Sequence, residues 1–131
     1  MAFGRFNDQI LHFRDQNHRQ ERTFVFVNSL GTDLRIWDDV AAYFGTDYRL
    51  LRYDLRGHGL SDAPPAPYSI ADHVGDLAAL LDAREIKGAI IVGLSVGGMV
   101  AQGLAARRPE LARMLVLCDT AQKIGTSEMR N

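Results

Sequence analysis

Hydrophobic and polar positions follow two patterns along the chain: short continuous apolar runs, and longer segments with apolar residues three or four apart. Residues 23–27 (Thr-Phe-Val-Phe-Val) form an apolar run of the kind that predicts a strand buried on both faces. Similar runs at 89–92 and 114–118 predict two further strands, and residues 48–53 are predicted to form another. Because these runs alternate with helical patterns, the sequence predicts an α/β fold with a mostly parallel, doubly wound sheet.

Three segments carry apolar residues at helical spacing. The first is marked by residues that share one face: Leu34, Trp37, Val40, Ala41 and Phe44. The second has a similar apolar face: Ile70, Val74, Leu77 and Leu81. Ser69 and Asp72 form an acidic variant of the capping box at its start, and Asp72 and Asp76 are expected to point toward solvent. The third covers residues 95–108 and is stopped by Pro109.

The remaining segments are predicted to connect these elements. Residues 3–14 favour a short antiparallel hairpin, with Asn7 and Asp8 as its turn. Residues 54–67 are rich in Gly and Pro, which predicts a long loop before the second helix. The strand at 114–118 is apolar and is predicted to lie at an exposed edge of the sheet.

Composition narrows the class of protein. The chain has 131 residues, of which 47% are hydrophobic and 24% charged, as expected of one globular domain. Fifteen Lys and Arg residues against sixteen Asp and Glu residues give a net charge of −1. The sequence has no basic stripe of the kind that would indicate a nucleic-acid partner. No apolar run approaches the roughly 18 residues of a membrane span. Because Cys118 is the only cysteine, no internal disulfide can form, and we expect a cytoplasmic location.

The clearest chemical signal is the segment 93–98, Gly-Leu-Ser-Val-Gly-Gly, which fits Gly-x-Ser-x-Gly. An apolar strand precedes it and a helical pattern follows, which is the strand–turn–helix context of a nucleophile elbow. Gly93 and Gly97 would relieve crowding around a strained Ser95, and the helix N-terminus would stabilise negative charge there. A phosphate-binding turn is the alternative, but a dinucleotide fingerprint needs a further glycine and a P-loop needs a lysine. Ser95 is therefore predicted to be a nucleophile.

Three segments together resemble the α/β-hydrolase superfamily: 28–33 (Asn-Ser-Leu-Gly-Thr-Asp), 54–62 (Asp-Leu-Arg-Gly-His-Gly-Leu-Ser-Asp) and 93–98. Most members carry His-Gly where this chain has Asn28-Ser29. The run Asn-Ser-Leu-Gly-Thr followed by Trp37 is similar to the 3-oxoadipate enol-lactonases of aromatic-compound degradation. Two further groups of residues look like that branch: Asp119-Thr120-Ala121 and Glu128-Met129.

The resemblance implies that residues 1–131 are the N-terminal portion of a single α/β-hydrolase core domain. It implies a cofactor-free serine hydrolase that opens a small lactone or ester, with 3-oxoadipate enol-lactone as the leading substrate. Carried over by position, Ser95 is the nucleophile and the backbone N–H groups of Leu30 and Val96 form the oxyanion hole. Arg130 stands near the lid entry, where this branch leads us to expect Trp.

The acid and the base of the triad are less defined. Asp119 follows the last strand and is a candidate acid, but in the enol-lactonase branch the acid comes from a later strand. The family places its histidine after the last strand, whereas the last histidine of this chain is His73. His58 is only a weak candidate for the base. We therefore expect a second polypeptide to supply the lid, the histidine and the acid.

Other residues are expected to be structural. Trp37 is predicted to pack, and His73 to be a surface or packing residue of its helix. Cys118 is predicted to be a buried small hydrophobe, and His12 and His18 to lie in or near the hairpin with no metal partner. Other functions stay open within the superfamily, namely a general carboxylesterase, a perhydrolase or a C–C hydrolase. A non-catalytic ligand-binding member is the alternative of another class.

Overall fold

A computed structural model of the chain describes residues 2–119. The strands are β1 (Ala2–Phe6), β2 (Gln9–Gln16), β3 (Thr23–Val27), β4 (Arg49–Tyr53), β5 (Ala89–Leu94) and β6 (Ala112–Cys118). The helices are α1 (Asp38–Phe44), α2 (Ile70–Ala83) and α3 (Val96–Arg107), with 3₁₀ turns at Leu34–Trp37 and Pro109–Leu111. Among these described helices, none has the length and apolar character that crossing a bilayer requires.

The strands form one mixed sheet in the order β1-β2-β4-β3-β5-β6. β1 pairs with β2, and β2 with β4, in antiparallel fashion, while β4, β3, β5 and β6 run parallel to one another. The predicted α/β fold with an N-terminal hairpin is therefore confirmed. Because the four parallel strands point the same way, the loops that follow them meet at one edge of the sheet, where α/β proteins place their ligands.

Local chemistry explains how the elements begin and end. Asn7 and Asp8 have φ of 50° and 62°, which is the pair of positive values that a tight hairpin turn needs. The Asp33 side chain accepts a hydrogen bond from the Arg35 backbone and so begins the 3₁₀ turn ahead of α1. Ser69 and Asp72 form the reciprocal capping box predicted for α2.

Buried apolar residues lie on both faces of the sheet, as the continuous apolar runs predicted. Successive residues of a strand point to opposite faces, so Val25 joins the core under α2 and α3 while Phe26 joins the core under α1. In β4, Leu51 joins the core under α2 and α3, and Leu50 joins the core under α1. Trp37 packs on Phe26 with ring centroids 5.0 Å apart, and its predicted packing role is confirmed.

One predicted orientation is wrong. Asp72 is half-buried, whereas Asp76 is almost completely buried, at 1% exposed. Its carboxylate accepts two hydrogen bonds from Arg56, each 2.7 Å long, and one of 3.0 Å from Asn7 in the hairpin turn. The reason is that α2 packs on its polar side against the loop after β4, so a paired carboxylate is buried there. Of the two roles expected for His73, the structure shows packing: the side chain is buried, and its burial lowers the pKa of the imidazole.

β6 lies at one edge of the sheet and pairs with β5, its only partner among residues 2–119. Met114, Val116 and Leu117 are 55%, 40% and 41% exposed. The predicted apolar edge is thus present in the described part of the chain. Cys118 is partly exposed, so its predicted burial is wrong. It is the last residue of β6 and lies outside the core.

Candidate active site

Ser95 forms the turn between β5 and α3, at the carboxyl edge of the parallel strands. It is exposed, and its φ of 56° and ψ of −117° place it in a region that residues with a Cβ rarely occupy. Backbone bonds on both sides hold this conformation. The Ser95 N–H donates to the Cys118 carbonyl at 2.8 Å, and the Ser95 carbonyl accepts from the Gly98 N–H at 2.9 Å. The strand–turn–helix geometry predicted for the motif is therefore present.

The two glycines of the motif are required by close approach of backbone to backbone. A Cβ on Gly97 would overlap the Val27 carbonyl and lie 2.8 Å from the Asn28 oxygen. A Cβ on Gly93 would lie 2.6 Å from the Gly97 carbonyl carbon. Because no side chain separates them, the first turn of α3 lies directly against the end of β3. This contact brings the loop after β3 beside the turn that carries Ser95.

The predicted oxyanion donors belong to these two adjoining segments. Val96 is the first residue of α3, where a backbone N–H has no partner within its own helix. Leu30 lies in the loop after β3 and is 61% exposed. Within residues 2–119, neither N–H donates a backbone hydrogen bond. Both residues lie in segments that meet at the edge where Ser95 lies, and the positive end of the α3 dipole is directed to the same place. Their role as oxyanion donors stays a prediction.

A buried amide holds the start of this loop. Asn28 donates from Nδ2 to the Tyr53 carbonyl at 2.8 Å and accepts at Oδ1 from the Trp37 indole N–H at 2.7 Å. Its side chain therefore ties the end of β3 to the end of β4 and to the 3₁₀ turn. This bond was not predicted from the sequence. The signal was an amide directly after a buried strand, followed nine residues later by the only Trp.

Asp119 lies where the sequence placed it, directly after β6. It is exposed and has a positive φ of 47°. The residue before it, Cys118, accepts the hydrogen bond from the Ser95 backbone. Its role as acid stays a prediction. The other positions of the resemblance near this end lie outside the described residues: Thr120, Ala121, Glu128, Met129 and Arg130.

The histidines of the described region have identifiable surroundings. His58 Nδ1 lies 3.0 Å from the Arg56 carbonyl within its own loop. His12 is buried, and its Nδ1 lies 2.7 Å from Asp54 Oδ2. Asp54 also accepts hydrogen bonds from the backbone of Leu34 and of Leu60. This pair was not predicted from the sequence, because its two residues are 42 positions apart.

A cavity of about 410 Å³ opens beside this histidine–carboxylate pair. Its lining includes Asp33 and Arg35, and hydrogen bonds from Arg35 lower the pKa of Asp33 to about 2. The carboxylate is therefore ionised at ordinary pH and paired at the mouth of the cavity. Among residues 2–119, no group of three or more His, Cys, Asp or Glu side chains is arranged to hold a metal ion.

The chain is similar in sequence to known proteins. A sequence model described as alpha/beta hydrolase fold matches residues 22–130. A 3-oxoadipate enol-lactonase of Acinetobacter baylyi is 38% identical over 121 residues, covering 92% of this chain and 45% of that protein. A putative carbamate hydrolase of Pseudomonas syringae is 39% identical over 106 residues, covering 80% of this chain and 41% of its own length.

Among solved structures, the enol-lactonase of Burkholderia xenovorans superimposes with a TM-score of 0.89 and 40% identity, over 97% of this chain and 50% of that one. An N-acyl homoserine lactone degrading enzyme superimposes with a TM-score of 0.85 and 28% identity, over 91% of this chain and 45% of its own. The chain thus spans about half the length of the relatives that it matches.

Proposed function

Since the chain belongs to the α/β-hydrolase family, we propose that it provides the nucleophile and the oxyanion hole of a serine hydrolase that opens a small lactone or ester. One observation carries the proposal: Ser95 stands exposed on a strained turn whose glycines let α3 touch the end of β3. Such strain persists only where the surrounding structure enforces it, and it is concentrated at functional sites.

In the proposed reaction, Ser95 Oγ attacks the carbonyl carbon and its proton passes to a general base. The carbonyl oxygen becomes an oxyanion, which accepts hydrogen bonds from the backbone N–H groups of Val96 and Leu30. Collapse of this intermediate breaks the bond to the ring or ester oxygen, which takes the proton from the base, and leaves an acyl group on Ser95. Water then releases the acid by the same steps. Loss of one oxyanion donor typically costs about 10²–10³ in rate.

We propose an enol-lactone of the 3-oxoadipate type as the substrate. The segment 28–33 together with Trp37 supports this choice, as do the enol-lactonases among the relatives. The Asn28 bond to Trp37 holds the start of the loop that would bind the lactone carbonyl. Opening such a ring expels an enol, which becomes a ketone by a proton shift.

A comparison of substrates tests this choice. For the complete protein, we expect kcat/KM for 3-oxoadipate enol-lactone to exceed that for phenyl acetate by about 10² or more, since a site that binds the polar groups of its substrate rejects analogues without them. Both rates are measured under the same conditions, with Ser95→Ala as the blank. Turnover of phenyl acetate alone would make the protein a general carboxylesterase instead.

We further propose that additional polypeptide covers β6 and supplies the histidine base, the lid and the acid, unless Asp119 is the acid. The exposed apolar side chains of Met114, Val116 and Leu117 support this, because a free apolar edge strand readily pairs with another chain. Native mass spectrometry of the active particle should therefore give a mass above the 14.6 kDa of these 131 residues. A catalytically active monomer of that mass would refute the proposal.

A further inference from the structure

The peptide between Ser29 and Leu30 is held by a side chain from the same loop. Thr32 Oγ1 donates to the Ser29 carbonyl oxygen at 2.7 Å. The two side-chain hydroxyl oxygens, of Ser29 and Thr32, lie 3.3 Å apart. A hydroxyl has a single proton, and that of Thr32 goes to the carbonyl. The Ser29 hydroxyl is therefore the donor in the second contact, and the two bonds form a short chain that ends on the Ser29 carbonyl.

This chain of bonds sets the direction of a neighbouring N–H. A trans peptide is planar, so the Ser29 carbonyl and the Leu30 N–H point to opposite sides of one rigid unit. The only cis peptide bond among the described residues is Ala66–Pro67, so this one is trans. Fixing the carbonyl therefore fixes the N–H that the proposed mechanism uses for the oxyanion.

Among residues 2–119, little else restrains this peptide. The Leu30 side chain is 61% exposed, and a Cβ placed on Gly31 would find no atom within 4 Å. Gly31 has a φ of +75°, which gives the loop tip its turn without any packing. The orientation of the Leu30 N–H thus depends on the bond from Thr32 rather than on a surrounding core.

The two ends of the loop are anchored independently of Thr32. On one side, Asn28 is buried and bonded to Trp37 and to the Tyr53 carbonyl. On the other side, the Asp33 side chain accepts from the Arg35 N–H. Loss of the Thr32 hydroxyl would therefore free the peptide between these anchors without releasing the loop from the fold.

We propose that Thr32 is a positioning residue of the oxyanion hole, which acts by orienting the Leu30 N–H through the Ser29 carbonyl. The inference rests on the proposed function, since the oxyanion exists only if Ser95 attacks a carbonyl. A donor that is misaligned loses more against the full charge of the oxyanion than against the neutral substrate carbonyl. The hydroxyl of Thr32 should therefore affect kcat and leave KM nearly unchanged.

The test uses the complete active protein and an aryl ester, phenyl acetate. Thr32→Val keeps the shape but removes the donor, and we expect kcat to fall about 10- to 100-fold with KM within about twofold of wild type. Thr32→Ser restores the hydroxyl, and its kcat should lie within about threefold of wild type. Thr46→Val makes the same change in an exposed turn and should leave both parameters unchanged.

A second variant tests the same chain of bonds if Thr32→Val does not fold. Ser29→Ala removes only the outer hydroxyl, so we expect a smaller loss in kcat, about threefold, again at constant KM. Melting temperatures of all variants are measured to separate orientation from loss of structure.

The outcomes distinguish a failure of the proposed role of Thr32 from a failure of the proposed hydrolase function. If wild-type turnover does not require Ser95, the proposed hydrolase mechanism fails. If turnover requires Ser95 but Thr32→Val has the kcat of wild type, the inference alone is overturned. It is also overturned if Thr32→Ser is as slow as Thr32→Val, or if only KM rises. For an unfolded Thr32→Val, an unchanged kcat in Ser29→Ala overturns it.

Discussion

Ser95→Ala is expected to lower the kcat of the complete protein by about 10⁴-fold or more and to abolish covalent labelling by a fluorophosphonate. The serine Oγ is the atom that forms the bond to the substrate, so no neighbouring group replaces it once it is removed. The turn itself should persist, because alanine and serine tolerate the φ of 56° about equally and the backbone bonds to Cys118 and Gly98 do not involve the side chain. Labelling followed by peptide mass spectrometry, together with single-turnover kinetics, measures both effects.

Ser69→Ala is the matched control for this experiment. Its hydroxyl caps α2 by accepting from the Asp72 N–H, so its loss should cost about 1 kcal/mol of stability while labelling continues at the wild-type rate. If Ser95→Ala is labelled as fast as wild type, the nucleophile lies elsewhere and the assignment of the elbow is incorrect.

Gly97→Ala is expected to reduce the free energy of unfolding by about 3 kcal/mol and to lower kcat as well. The added methyl would collide with the carbonyl groups of Val27 and Asn28, which are backbone atoms and cannot turn aside. Without the collision, alanine would stabilise the helix by about 1 kcal/mol relative to glycine. The measured loss of stability is therefore smaller than the cost of the collision itself. Since relief requires α3 to move away from β3, the Val96 and Leu30 donors would separate. Urea unfolding and steady-state kinetics measure the two effects.

Gly103→Ala makes the same change on the same helix. There the added methyl would meet a methyl group of Val74 at 2.8 Å, which is a side-chain atom that can shift. We expect a smaller loss of stability and little change in kcat. Equal losses in the two variants would show that the carbonyl contacts of Gly97 are not what constrains the elbow.

The fold could be predicted to a large extent because its elements follow local patterns. The run at 23–27 has four successive apolar residues after Thr23, and β3 covers the same residues with a core on each face. The motif at 93–98 specified a strand, a turn and a helix, and β5, Ser95 and α3 follow in that order. These predictions depend on neighbours in sequence, which are also neighbours in space.

The prediction for Asp76 was wrong because its partner is distant in sequence. An acidic residue off the apolar stripe of α2 is expected to face solvent, but here the loop after β4 brings Arg56 to it from 20 residues away. The pairing of His12 with Asp54 and of Asn28 with Trp37 was missed in the same way. Each of these contacts joins two segments that come together only when the chain folds.

The sequence by itself determined where the strand-to-helix turn of Ser95 lies and why glycine must flank it, because such a sharp turn restricts the local backbone. It also determined that the sheet is mostly parallel and that β6 is apolar. Only the tertiary structure decided that the loop after β3 lies against α3, that the Asn28 amide anchors it, and that Thr32 holds the peptide beside Leu30. The physical reason is that an oxyanion hole joins backbone groups from distant segments, and packing between those segments sets their geometry.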